Sequence, residues 1–129
     1  MIRDWKDYRS AINGAIGEMR ASNPDLVKAY AAFHRANSAS KHLDAKTREL
    51  IALAVAVSLR CDGCINAHTE AAVHAGASKD EIVDALGVAV MVNAGATMVY
   101  SGHVIDALHT YAPGAPGAPT SQPQNEVKS

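Results

Sequence analysis

The chain has 129 residues, a formal net charge of −1 and no block of basic residues, which suits one compact domain and excludes an electrostatic nucleic-acid binder. Hydrophobic residues make up 48% of it but aromatic ones only 5%, so alanine, valine and leucine must fill the interior and helices must approach closely. No stretch alternates as a half-buried strand would, and the expected fold is all-α: a single helical domain over residues 1–111 with five to six helices.

In chain order, the first helix is predicted from Trp5 to Met19. Asn23-Pro24 supplies an N-cap and a proline at the first helical position, opening a second helix to Arg35 with Leu26, Tyr30 and Phe33 as its inward stripe. Asp44 caps a third helix to Leu59. Its lower turns are polar and its upper turns, from Leu50 to Val57, are apolar, so burial of the upper part is expected. A fourth helix begins between Cys61 and Cys64 and ends at Gly76, a C′ residue. Ser78-x-x-Glu81 is a capping box that opens a long fifth helix, with Asn93-Ala94-Gly95-Ala96 as an expected interruption before Val99, Val104, Ile105 and Leu108.

Ile82 to Tyr100 has the length of a membrane span. Asp84, Asn93 and its glycine and alanine breaks favour a buried helix instead, so no membrane association is expected. That helix is apolar nearly all round, more than one small chain can cover, which predicts a homo-oligomer. From Ala112, prolines alternate with glycine and polar residues, and residues 112–129 are expected to be a disordered tail or an arm on a neighbouring subunit. The charged start, Met1 to Asp7, is not a secretory pattern, and a cytoplasmic location is expected.

Both cysteines of the chain fall in Cys61-Asp62-Gly63-Cys64, followed by His68. A reducing compartment keeps such thiols free unless they react, sense or bind metal. Glu49 and Cys61 on one straight helix would be roughly 18 Å apart, at about 1.5 Å rise per residue. A break at Arg60 to Gly63, with Asp62-Gly63 as the turn pair, folds the fourth helix back along the third and brings Glu49 towards His68. Cys64 then occupies the first turn of the fourth helix, where the helix dipole and free N–H groups favour a thiolate. His68, four residues on, shares its face and can take its proton, and Glu49 can orient His68. Cys61 is the resolving cysteine that closes the disulfide.

Competing readings are two inert cysteines, or a zinc site from Cys61, Cys64, His68 and Glu49, which lacks the second Cys/His pair of a structural zinc motif. No cofactor or metal is expected. His34, His42 and His74 read as surface or helix-end residues, His103 and His109 as residues that approach a subunit boundary, Arg60 either as a cation lowering a thiol pKa or as a solvated helix-end cation, and Tyr30, Tyr100 and Trp5 as packing residues.

The run Glu49-x11-Cys61-x2-Cys64-x3-His68, with a helix ending Ala-Gly-Ala-Ser-x-x-Glu, resembles the alkylhydroperoxidase-D-like branch of the carboxymuconolactone decarboxylase family over about Pro24 to Leu108. The resemblance implies an all-helical fold assembling as dimers, trimers or hexamers, with sites near subunit contacts. It implies Cys64 as peroxidatic cysteine, Cys61 as the partner reduced by a dithiol or thioredoxin-like donor, and His68 and Glu49 as proton relay. The implied activity is thiol-dependent reduction of small hydroperoxides. Gly63 departs from the pattern, since the best-known members carry histidine there. Two other functions stay open: a non-enzymatic redox-switch oligomer, and a lactone decarboxylase using His68 and Glu49 with the cysteines as bystanders.

Overall fold

A computed structural model describes residues 1–39, 41–112, 114, 116 and 117. Among these the chain forms six α-helices and no strand: α1 (Trp5–Ser22), α2 (Pro24–Ser38), α3 (Ala45–Ser58), α4 (Asp62–His74), α5 (Lys79–Tyr100) and α6 (Gly102–Tyr111). The helices fall into two units, Met1–Met91 and Val92–Ser129, and α5 runs unbroken from the first into the second. The expected tail, residues 112–129, lies outside the described residues apart from Ala112, Gly114, Pro116 and Gly117.

In the first unit the helix starts are set by side chains that the sequence makes conspicuous. Asn23 accepts from the Leu26 N–H at 3.2 Å ahead of Pro24, and Asp44 accepts from the Thr47 N–H at 2.7 Å. That bond holds the Asp44 carboxyl below its ordinary range. The capping box at the start of α5 is complete: the Glu81 N–H donates to Ser78 Oγ at 3.1 Å, and the Ser78 N–H donates to Glu81 Oε2 at 2.8 Å. Each such cap contributes about 1 kcal/mol. Glu81 Oε1 also accepts from Lys46 Nζ at 2.6 Å, tying α5 to α3. The Lys46 bond, then the Ser78 N–H, lower the Glu81 carboxyl, while the same pairing raises Lys46. Whatever this pair adds to stability is therefore present above the ordinary glutamate range and is lost as pH falls through the lowered value. At the alkaline end it is lost as pH rises through the raised lysine value.

The α3–α4 hairpin reverses through residues 59–61. Leu59 caps α3, the Arg60 N–H bonds Val57 O at 3.2 Å, and the Cys61 N–H bonds Ala56 O at 3.0 Å, the paired bonds of a Schellman ending. This ending needs a left-handed residue, and Arg60 supplies it with φ 54°. The expected turn pair is thus corrected: Asp62 and Gly63 already belong to the first turn of α4. The end of α4 repeats the motif, now with the residue best suited to it, Gly76 at φ 83°.

The most deeply buried residues of this unit are Leu53 and Ala56 of α3, Ala72 of α4 and Ala89 of α5. Alanine at three of these four positions lets backbones come close, as the scarcity of aromatic residues requires. The inward stripe expected on α2 is not inward. Leu26, Tyr30 and Phe33 are 53%, 73% and 77% exposed, while Val27 and Ala31 are the partly covered residues. Spacing alone could not separate two apolar faces on one helix. The upper turns of α3 are likewise only half covered, with Ile51, Val55 and Leu59 exposed along one side.

In α5, Asn93 to Ala96 do not interrupt the helix; the break comes at Ser101, before α6. Thr97 and Ser101 each return their hydroxyl to a carbonyl four residues back, at 2.9 and 2.8 Å, which absorbs their polarity within the helix. In the second unit the Tyr100 and His103 rings meet at 4.5 Å, and Met98, Val99, Val104 and Ile105 are exposed. Apart from Ala89, α5 is not the buried helix expected of it within a single chain. By length and composition alone, Lys79–Tyr111 could cross a membrane.

Candidate active site

The four residues singled out by spacing all lie in the α3–α4 hairpin. Cys61 is the N-cap of α4, and its sulfur accepts the Cys64 N–H at 3.2 Å. Cys64 stands in the first turn, where unpaired backbone N–H groups and the positive end of the helix converge. The two sulfurs are joined as a disulfide across a Cα–Cα separation of 5.2 Å. One turn beyond Cys64, His68 Nδ1 lies 2.7 Å from Glu49 Oε2 of α3. Their side chains are 32% and 24% exposed, so the pair is shielded but reachable by water and small molecules. With Nδ1 held by the carboxylate, Nε2 is the nitrogen left to exchange a proton.

A cavity of about 340 Å³ opens beside this pair. Cys64 and His68 contribute its polar floor, Ile51, Val55 and Leu59 of α3 its apolar wall, and Arg48 its edge. This explains the exposed side of α3: residues 51, 55 and 59 recur every four positions and line a cavity rather than a core. Sequence reasoning missed that wall. The available signal was an apolar row in excess of the stripe α3 needs for packing against α4.

It also missed α1. Asn66 Nδ2 donates to the Trp5 carbonyl at 2.7 Å, and Arg9 pairs with Glu70 and donates to the Asn66 carbonyl at 3.3 Å. Asp62, inside the Cys-x-x-Cys turn, pairs with Arg3 at 2.7 Å. Trp5 packs edge-on against Tyr8, as a packing residue would, at a centroid distance of 6.0 Å. These contacts pin α1 across α4, an arrangement with no signature in the local sequence of either helix. Among the described residues no three His, Cys, Asp or Glu side chains converge as a metal-binding group.

A profile described as "Carboxymuconolactone decarboxylase family" matches residues 24–107, from α2 into α6. The chain belongs to the carboxymuconolactone decarboxylase family. A protein of Haemophilus influenzae, described as uncharacterized, is 48% identical over 107 residues, covering 83% of this chain and 95% of that one. An uncharacterized protein of the cox locus of Paracoccus denitrificans is 31% identical over 74% of this chain and 86% of its own. Among solved structures, the apo form of a carboxymuconolactone decarboxylase family protein from Legionella pneumophila superposes with a TM-score of 0.65. It is 29% identical and covers 83% of this chain and 96% of that one. A protein from Methanobacterium thermoautotrophicum gives a TM-score of 0.63 at 27% identity, over 69% of this chain and 97% of that one. The apolar stretch of α5 and α6 thus lies largely within the matched residues of the carboxymuconolactone decarboxylase family, as helices of its all-α fold.

Proposed function

We propose that this family member is a thiol-dependent peroxidase, with Cys64 as nucleophile, Cys61 as resolving thiol, and His68 and Glu49 as proton relay. One observation carries the reading: a bonded Cys61–Cys64 pair at a helix N-terminus, one turn from a histidine held by a carboxylate. In the reduced protein the Cys64 thiolate attacks the terminal oxygen of a hydroperoxide. The O–O bond breaks, the alcohol leaves with a proton carried by His68, and Cys64 becomes a sulfenic acid. Cys61 attacks that sulfur, water leaves, and the disulfide forms. A dithiol or thioredoxin-like donor then restores both thiols. The apolar wall of Ile51, Val55 and Leu59 suits a small organic hydroperoxide. The exposed apolar residues of α2, α5 and α6 support a homo-oligomer, and the reactive thiols fit a cytoplasmic setting.

The test is consumption of cumene hydroperoxide with dithiothreitol as donor, wild type beside Cys64→Ser. Turnover in the wild type that is lost in Cys64→Ser is the expected result. Turnover that survives in Cys64→Ser removes the peroxidase assignment. A lactone-directed activity that survives loss of both thiols would move the function to acid–base chemistry on His68 and Glu49.

A further inference from the structure

The disulfide is flanked by two cavities that share Cys64 and His68, and only one of them is also lined by Cys61. The one beside α3 is lined by Cys64 and His68 but not by Cys61. A second, of about 330 Å³, lies between α1, α2 and α4 and is lined by Cys61 as well as by Cys64 and His68. Its volume falls within the range of small-molecule sites, about 300–1,000 Å³. Tyr8, Ile12, Tyr30 and His34 form its outer wall. The helix that supplies Tyr8 and Ile12 precedes the residues matched to the family, 24–107.

Tyr8 stands directly over the Cys-x-x-Cys turn. A Cβ added at Gly63 would meet only the Tyr8 hydroxyl, at 3.9 Å, and Gly63 has no left-handed backbone that demands glycine. Glycine here leaves room between the phenol and the turn. Among the described residues the Tyr8 hydroxyl has no hydrogen-bond partner, while its ring is fixed by Trp5 and by the Arg3 guanidinium, 4.7 Å from its centroid. Arg3 also neutralises Asp62, whose charge would repel an approaching thiolate.

We infer that the α1–α2–α4 cavity is the binding site of a small dithiol reductant, and that Tyr8 positions its attack on Cys61. The inference rests on the redox reading of the Cys-x-x-Cys centre and assigns the reductant to the one of the two cavities that reaches Cys61. One donor sulfur, as thiolate, attacks Cys61 Sγ. The S–S bond breaks and its electron pair leaves on Cys64, at the first turn of α4. The second donor thiol, having given its proton to solvent, attacks the donor sulfur of the mixed disulfide. Cys61 leaves as a thiolate, accepts a hydrogen bond from Tyr8, and takes a proton from solvent. The donor departs as its cyclic disulfide, oxidised by two electrons, and the protein gains the two protons that the donor lost to solvent, one on Cys61 and one on His68 beside the Cys64 thiolate.

The experiment separates the two half-reactions. Oxidised protein is mixed with dithiothreitol, and reduced protein with cumene hydroperoxide; each is quenched by alkylation and read by mass. Ile12→Trp, which fills the α1 side, is expected to slow the dithiothreitol step at least about tenfold relative to the hydroperoxide step, while Ile12→Leu restores it. Tyr8→Phe is expected to shift the same ratio by about tenfold, the worth of one hydrogen bond to a charged sulfur. An unchanged ratio in Ile12→Trp, whether both rates fall or neither does, overturns the inference. If the reduced wild type does not react with hydroperoxide, the peroxidase reading fails separately. The dithiothreitol rate of Ile12→Trp against Ile12→Leu then decides the site, a slower Trp variant supporting it and equal rates overturning it.

Discussion

At the residue scale, the proposed chemistry depends on His68 being held in one orientation. Glu49 fixes Nδ1 at 2.7 Å, from a different helix, so the geometry exists only when α3 and α4 are paired. Replacing His68 by Asn removes the exchangeable proton and is expected to lower the rate of hydroperoxide reduction by roughly 10²-fold. Glu49→Gln keeps the shape but not the charge, and should fall between wild type and His68→Asn. Stopped-flow reaction of reduced protein with cumene hydroperoxide measures both; a Glu49→Gln rate equal to wild type would remove Glu49 from the relay. The motif spacing was enough to place these side chains together, since Cys64 and His68 are four apart on one helix and Glu49 needs only a reversal to join them. Tyr8 and Asn66 were beyond such reasoning. Their meeting is set by how α1 crosses α4, and neither carries a spacing relation to the cysteines.

At the scale of the element, the reversal between α3 and α4 is a helix ending that would suit glycine but carries arginine. Gly76 ends α4 in the same way without a side chain in the left-handed region. Arg60→Gly is therefore expected to stabilise the protein by about 1 kcal/mol, read as an increased urea midpoint with an unchanged slope. A lowered midpoint would mean that the Arg60 side chain contributes more than its backbone costs. Caps were the most legible part of the fold: Asn23-Pro24, Asp44 and Ser78-x-x-Glu81 all act as their sequence suggests. The faces were less legible. On α2 the pair Val27 and Ala31 is covered while the larger Leu26, Tyr30 and Phe33 are not, because apolar periodicity reports that a face is dry without saying what dries it. In α5 the small residues Asn93 to Ala96 looked like a break. The helix continues through them, with the Thr97 hydroxyl bonding the Asn93 carbonyl along its axis.

At the scale of the whole molecule, the apolar residues outnumber what one chain covers. Phe33 is 77% exposed and Val99 79%, and both sit on helices matched to the family. Burial of such side chains is worth about 1.5–3 kcal/mol each, enough to drive association. The protein is expected to sediment as a multiple of its 13.5 kDa chain, and Val99→Lys to shift it towards the monomer at low concentration. A monomeric wild type at micromolar concentration would contradict this. The all-α class was readable from composition and the lack of alternation, and the assembly was inferred from the same apolar excess. What composition could not supply is which of the exposed faces a second copy would cover.

Cys64 Sγ is the atom proposed to meet the oxidant. Reduced Cys61→Ser protein, given one equivalent of cumene hydroperoxide and then dimedone, is the direct test, with the adduct located by peptide mass spectrometry. A dimedone adduct on Cys64 that forms in step with hydroperoxide loss is the predicted result. No adduct on Cys64, or an adduct on Cys61 in the reciprocal Cys64→Ser protein at the same rate, would contradict it.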